Sequence, residues 1–148
     1  MTAQYLTFIV DGQIFGLPIE KIREINSISD ITKVPNAPPH VVGVMNLRGK
    51  IIPVADLNLR LNGSQTVNSK ETCTIVVDFG SGQVGLIVDA VNSVTDIEEA
   101  SIDRNPVNQE GRNYISGVAP IDSKLVLLMD IDSCLSEESN ESVLEVAA

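Results

Sequence analysis

From Tyr5 to Val10 the residues alternate between two faces and are mostly aromatic or β-branched, the pattern of a strand. Asp11-Gly12-Gln13 is a tight turn into a second strand, Ile14 to Leu17. Ile19, Ile22 and Ile25 recur every three residues, so a short helical turn leading into a strand is expected there. Val34-Pro35-Asn36-Ala37-Pro38-Pro39 reads as an extended connector, because a residue before proline avoids the α region. Val41 to Leu47 and Ile51 to Val54 form a hairpin across Arg48-Gly49-Lys50. Asp56 is placed to cap a short helix, Leu57 to Leu61. Asn62 to Lys70 is polar and is the best linker candidate.

The same plan then returns. Thr72 to Phe79 is a strand, followed by a Gly-Ser-Gly turn, with Gly82 expected at positive φ, and a strand from Val84 to Val91. Asp96 to Gly111 reads as a polar, acidic connector. Tyr114 to Ile121 and Leu125 to Met129 make another hairpin, and Asp130 caps a helix to Leu135. The run Val42 to Leu57 reappears 74 residues later as Ser116 to Ile131, and Gly16 to Ile22 matches Gly85 to Val91 at an offset of 69. Two structurally equivalent units in one chain follow from the repeat. Many short strands joined by tight turns make the fold all-β, with small barrels that share a core and only short helices. The domain is expected to span 1–136, its units roughly 1–68 and 69–136 and able to interlock, with 137–148 an acidic mobile tail.

Composition narrows the function. With 20 acidic against 10 basic residues the net charge is −10, which argues against nucleic acid and against an anionic membrane surface. The absence of Trp, with only two Tyr and three Phe, weakens any base-stacking role. No apolar run approaches a membrane span of about 20 residues, and the first residues lack the cationic stretch of a signal peptide, so a cytoplasmic location is expected. Cys73 and Cys134 lie far apart and read as buried free thiols, one on a strand and one on a helix.

Several motifs resemble chemistry and fail on inspection. Gly80 to Gly85 fits G-x-G-x-x-G, but Leu86-Ile87-Val88 continues as a strand where a dinucleotide site needs a helix N-terminus. Asp130, Asp132, Glu138 and Glu141 fit calcium-loop positions, but Leu135 stands where the loop needs Gly. His40, the one histidine, has no nucleophile or metal partner in a recognisable motif and is expected on a surface turn after Pro38-Pro39. No catalysis and no cofactor or metal is expected. A domain of this kind acts through surfaces. Arg48, whose repeat counterpart is Asp122, stands out as a guanidinium suited to anchoring a protein interface.

Val34 to Pro38, Val42-Gly43-Val44, Asn46-Leu47-Arg48-Gly49, Ile51 to Leu57, Gly85 to Val91 and Tyr114 to Val118 together resemble the signature of the CheW family of chemotaxis coupling proteins, over about Tyr5 to Leu135. The resemblance implies two five-stranded barrels similar to SH3 domains, packed around a shared core. It implies a non-catalytic adaptor that couples chemoreceptors to the histidine kinase CheA, binding the kinase's regulatory domain and the receptor's cytoplasmic tip. By motif, Arg48 and Glu24 fall on polar positions used for coupling. Ile22, Gly43, Val44, Gly85 and Val88 fall near a groove between barrels that takes the receptor tip. Met45 and Met129 depart from the family's small or branched residues, and Glu98 to Ser101 lacks the prolines frequent there. An adaptor for a related pathway controlling pili or development, or a nucleotide- or small-ligand-binding regulator using the Gly80 to Gly85 turn, are the alternatives.

Overall fold

The computed structural model describes residues 1–27, 31–37, 40–104 and 114–135. Among the described residues ten strands alternate with short helical pieces: β1 (Thr2–Val10), β2 (Gln13–Pro18), β3 (Ile22–Ser27), β4 (Val41–Leu47), β5 (Lys50–Asp56), α1 (Leu57–Asn62), β6 (Cys73–Phe79), β7 (Gly82–Val88), β8 (Ala90–Glu98), β9 (Ile115–Ile121), β10 (Lys124–Met129) and α2 (Ile131–Leu135). They form two five-stranded sheets. The first runs β8-β1-β2-β10-β9 and the second β3-β6-β7-β5-β4. Each sheet curls, barrel-like, around a small apolar cluster of its own. That cluster is Tyr5, Ile97, Ala119, Val126 and Leu128 in the first sheet. In the second it is Met45, Ile52, Val54, Val76 and Ile87.

The opposite faces of the central strands meet in one larger core. Leu6, Phe8, Val10, Phe15 and Leu17 of the first sheet pack with Ile75, Val77, Phe79, Val84, Leu86 and Val88 of the second. Phe8 and Phe15 are opposite each other across β1 and β2, their rings stacked at 6.0 Å. Strands with both faces covered lose the strict alternation of a half-exposed strand, which is why β6 and β7 read as nearly continuous apolar runs. Each fully buried Leu, Val or Phe contributes about 1.5–3 kcal/mol.

The two units interlock. β1 and β2 lie in the first sheet with β8, β9 and β10, while everything from β3 to β7 forms the second. The chain therefore crosses between sheets twice, at Pro18–Ile22 and at Asp89. The repeat is kept by an approximate two-fold. Leu128 pairs with Gly16 in the parallel pair β10/β2, and Val54 with Gly85 in the parallel pair β5/β7. These are the same partners shifted by the two offsets of the sequence. Gly16 and Gly85 both point at their own barrel's interior. A Cβ would meet Leu128 and Val126 side chains at 3.1 and 3.2 Å from Gly16, and the Thr74 methyl at 2.9 Å from Gly85.

Polar groups fasten the crossovers and the linker. Asp56 caps α1, accepting from the Asn58 and Leu59 amides, and also accepts from the Thr66 amide (2.9 Å) and hydroxyl (2.6 Å). The connector after α1 is thus tied to the helix it leaves. Asn58 donates to Asp89 at 3.1 Å, and Asp89 accepts from the Asp11 amide at 2.8 Å, which pins the second crossover. At the first crossover Lys21 lies 3.7 Å from Asp132 of α2, a solvated ion pair. Arg60 of α1 donates to the Cys134 carbonyl of α2 at 2.6 Å, so these repeat-equivalent positions meet where the pseudo-axis passes.

Three sequence expectations are corrected. The connector placed at Asp96 begins later, because the chain turns at Asp89 and forms β8 as an edge strand to Glu98. His40 is not on a surface turn. It is 6% exposed, and its carbonyl accepts from the Asp56 amide at 2.9 Å, beneath the α1 cap. Cys73 is only partly buried, since it opens a strand at its edge, whereas Cys134 is buried as expected. The calcium-like carboxylates Glu138 and Glu141, and the tail 137–148, lie outside the described residues.

Since neither half contains a whole sheet, residues 1–68 expressed alone should show no cooperative melt, and the intact chain should unfold in one transition. A sharp melting transition of the isolated fragment, followed by circular dichroism, would contradict the interlock.

Candidate protein-interaction site

The Asn46-Leu47-Arg48-Gly49 block is a two-residue hairpin turn. Leu47 pairs with Lys50, and Arg48 and Gly49 take the two left-handed positions at φ 54° and 87°. The Asn46 side chain accepts from the Gly49 amide at 2.9 Å. Leu47 packs on the second barrel's cluster. Asn46 and Gly49 are therefore used to make the turn and Leu47 to fill the barrel. Arg48 alone has its side chain left over, and it is 81% exposed. A non-glycine residue in this conformation costs on the order of 1 kcal/mol.

Glu24 stands on β3, at the opposite edge of the same sheet. The curl of the sheet brings it back to the turn, with Glu24 Oε1 3.6 Å from Arg48 Nη2 and the carboxylate side chain only 22% exposed. The two polar residues singled out from the sequence are thus one ion pair. Beside them, Arg23 grips Asp78 with two hydrogen bonds, Nε to Oδ1 at 2.9 Å and Nη2 to Oδ2 at 2.5 Å. These bonds hold the Asp78 carboxyl below its ordinary value.

The apolar candidates do not form one surface. Ile22 is half-buried against the shared core. Val44 is half-buried, its backbone paired with Thr32 through two 2.9 Å hydrogen bonds. Gly43 is buried beneath the same segment. Val88 lies wholly within the shared core and Gly85 within the barrel, so neither presents a side chain to a partner. Their places are in the packing of the sheets.

The sequence reading missed the exposed apolar residues of the surface. Ile25, Ile51, Val94 and Leu125 are between 44% and 63% exposed. They form two repeat-equivalent pairs, Ile25 with Val94 and Ile51 with Leu125. The same offsets that revealed the duplication could have picked them out. Ile51 lines a notch of about 290 Å³ with Lys50, Pro53 and Phe79. Leu125 lines its counterpart of about 530 Å³ with Ile9, Ile14 and Lys124. Charge breaks the symmetry. The second hairpin turn has Asp122 and Ser123 at φ 49° and 61°, in the places of Arg48 and Gly49. Residues 22–88 carry six basic and five acidic side chains, and the rest of the chain four and fifteen.

The glycine-rich run is a hairpin. β6 pairs with β7 through Phe79 and Gly82, and β7 extends to Val88 with no helix behind it. The left-handed residue is Gly80, at φ 58°, and not Gly82, which begins the strand in open space. Among the described residues no helix is long and apolar enough to cross a membrane.

A CheW-like domain model matches residues 4–139. The chemotaxis protein CheW of Rhizobium meliloti is 31% identical over 141 residues, covering 94% of this chain and 91% of its own. That of Thermotoga maritima is 33% identical over 134 residues, covering 90% and 88%. In three dimensions the chain superimposes on the crystal structure of the scaffolding protein TtCheW from Thermoanaerobacter tengcongensis with a TM-score of 0.85, at 33% identity, over 94% of this chain and 96% of that one.

Gly80→Ala should cost about 1 kcal/mol, because alanine resists the left-handed conformation, while Gly82→Ala should leave the melting temperature unchanged. Equal melting curves for the two variants would contradict the assignment, as would dinucleotide binding lost in either.

The Asp78 carboxyl should titrate below the ordinary aspartate value of about 3.9. A lowered folded-state value means that the pair's contribution is fully present above that range and is lost as pH falls through the lowered value. The contribution is small because the pair is solvated. Arg23→Gln should return Asp78 to the ordinary range in a carboxyl-carbon NMR titration, and an unmoved midpoint would show that Arg23 does not set it.

Proposed function

The chain belongs to the CheW-like family of non-catalytic chemotaxis scaffold proteins, and from that premise we propose that it couples chemoreceptors to a CheA-type histidine kinase. In this reading it binds the regulatory domain of the kinase and the cytoplasmic tip of the receptor, and so works in the cytoplasm. It needs no cofactor, because its output is the geometry of an assembly.

One observation carries the reading. The duplication gives the molecule two equivalent presenting surfaces, each with exposed apolar residues on an edge strand and at a hairpin, while the turn residues differ in charge: Arg48 on one and Asp122 on the other. An adaptor that must hold two different proteins needs two surfaces that do not compete. Matching apolar patches supply area, and opposite charges supply choice of partner and register. The near-neutral second barrel and the acidic remainder of the chain extend that difference beyond the turns.

Within this scheme Arg48 and Glu24 form the polar contact of the second barrel's tip, with Ile51 and its notch beside them. Ile22 and Ile25, on β3 at the margin of the shared core, offer an apolar edge to the helical receptor tip. Gly43, Val44, Gly85 and Val88 support these surfaces from within.

Arg48→Glu tests the proposal. The side chain is solvated, so stability should change by no more than about 0.5 kcal/mol. The substitution turns an attraction to Glu24 into a repulsion and reverses the charge offered to a partner, so receptor-dependent kinase activity in a reconstituted array should fall. A variant that melts like the parent and couples equally well would reduce Arg48 to a solvated turn residue.

A further inference from the structure

The segment between β3 and β4 does more than connect them. Ile31 and Thr32 lie along the outer edge of β4 as a short strap. The Thr32 amide donates to the Val44 carbonyl, and the Val44 amide donates to the Thr32 carbonyl, both at 2.9 Å. Ile31 packs on the second barrel's apolar cluster. The strap crosses directly over Gly43. This residue sits at φ 153°, and a Cβ there would press into the Thr32 carbonyl oxygen and come within 2.8 Å of the Ile31 methyl. The nearest obstacle is backbone, so a side chain could be admitted only by lifting the strap.

The first barrel repeats the device. Asp103 pairs with Val118 through hydrogen bonds of 2.9 and 2.8 Å, over Gly117, whose Cβ would meet the Ile102 methyl at 2.6 Å. There Arg104 adds a further fastening, donating to the Ser116 carbonyl at 2.9 Å.

In the second barrel the strap lies between the two edges of the sheet. β3 carries Glu24 at one edge, and β4 leads into the Arg48 turn at the other. Among the described residues no ladder joins these edges: pairing with β6 holds β3 in the sheet, and the strap lies along the open side of β4, where the curl closes. We propose that Gly43 is a positioning residue for the Arg48–Glu24 pair, acting by leaving room for the Ile31–Thr32 strap and not by touching a partner. The proposal rests on the coupling function above for its consequence, but the positioning itself can be measured without any partner.

The test uses the full chain with Cys73→Ser, and with Cys134 buried, so that spin labels attach only at Ser27→Cys and Lys50→Cys, on either side of the intact pair. In this labelled parent and in its Gly117→Ala variant the distance distribution between labels should be narrow and the same. In the Gly43→Ala variant it should shift and broaden, and the Thr32 and Val44 amides should lose protection from hydrogen exchange. Should Gly43→Ala not fold, Ile31→Ala keeps the backbone gap and loosens only the strap's apolar anchor, and it should broaden the distribution more weakly. An unchanged distribution in Gly43→Ala or, where that variant does not fold, in Ile31→Ala overturns the proposal. In the reconstituted array, unlabelled Gly43→Ala should lose coupling to the level of Arg48→Glu, while Gly117→Ala, whose Cβ meets a side-chain methyl in the other barrel, keeps it. Equal loss in both glycine variants would mean a general fold defect and also overturns it. Normal coupling by Arg48→Glu would defeat the functional reading alone, since the label distances still decide the positioning.

Discussion

Two curled sheets that each turn an apolar face toward the other must stay in contact, and the rest of the molecule is arranged around that requirement. Each barrel alone encloses only a handful of side chains, such as Tyr5, Ile97 and Leu128 in one and Met45, Val54 and Ile87 in the other. A unit of that size is marginal. The larger core between the sheets, from Leu6 and Phe8 on one side to Leu86 and Val88 on the other, supplies the missing burial. The crossovers at Pro18–Ile22 and at Asp89 then thread the sheets together, so that the core cannot open without breaking both. The buried ends of α1 and α2, with Leu57, Ile131, Cys134 and Leu135, close it on the pseudo-axis.

A core held in this way frees the hairpin tips. The Arg48 and Asp122 turns share backbone geometry and differ in charge, which shows how a duplicated fold can diverge at its surface without altering its framework. The same logic separates roles among residues that look alike in sequence. Arg48 faces solvent and meets the mostly covered Glu24 at 3.6 Å. Gly85 and Val88 are needed for packing, and Gly43 for the passage of a strap. Substitutions at either kind of position can impair an adaptor, the first by removing a contact and the second by moving one.

Much of this was legible in the sequence because it is local. The Asp56 cap, the Asp11-Gly12 and Arg48-Gly49 turns and the hairpins they join depend on residues within a few positions of one another. The repeat offsets carried the two-fold plan. What was hidden is long-range. No local pattern says that β2 pairs with β10, more than a hundred residues away, or that the units exchange strands. β8 escaped notice because, from Asn92 onward, Ile97 is its only buried residue, as suits an edge strand, and the polar run Asp96 to Glu99 resembles a loop. His40 was misplaced by the prolines before it. The 74-residue offset puts it in register with Tyr114, whose carbonyl likewise accepts from the amide of the aspartate before the second helix, Asp130, at 2.7 Å. The Arg48–Glu24 pair was foreseen as two separate residues, and the curl of the sheet makes it one site.

The claim that one shared core governs both barrels can be measured by native-state hydrogen exchange. Amides in the middle of β1 and β2 should exchange with the same opening free energy as those in β6 and β7, and that energy should equal the global stability, since both pairs of strands are released only when the common core opens. If β1 and β2 instead exchange at a distinctly lower free energy while β6 and β7 stay protected, the first barrel unfolds by itself, and the sheets are neighbours without being one cooperative unit.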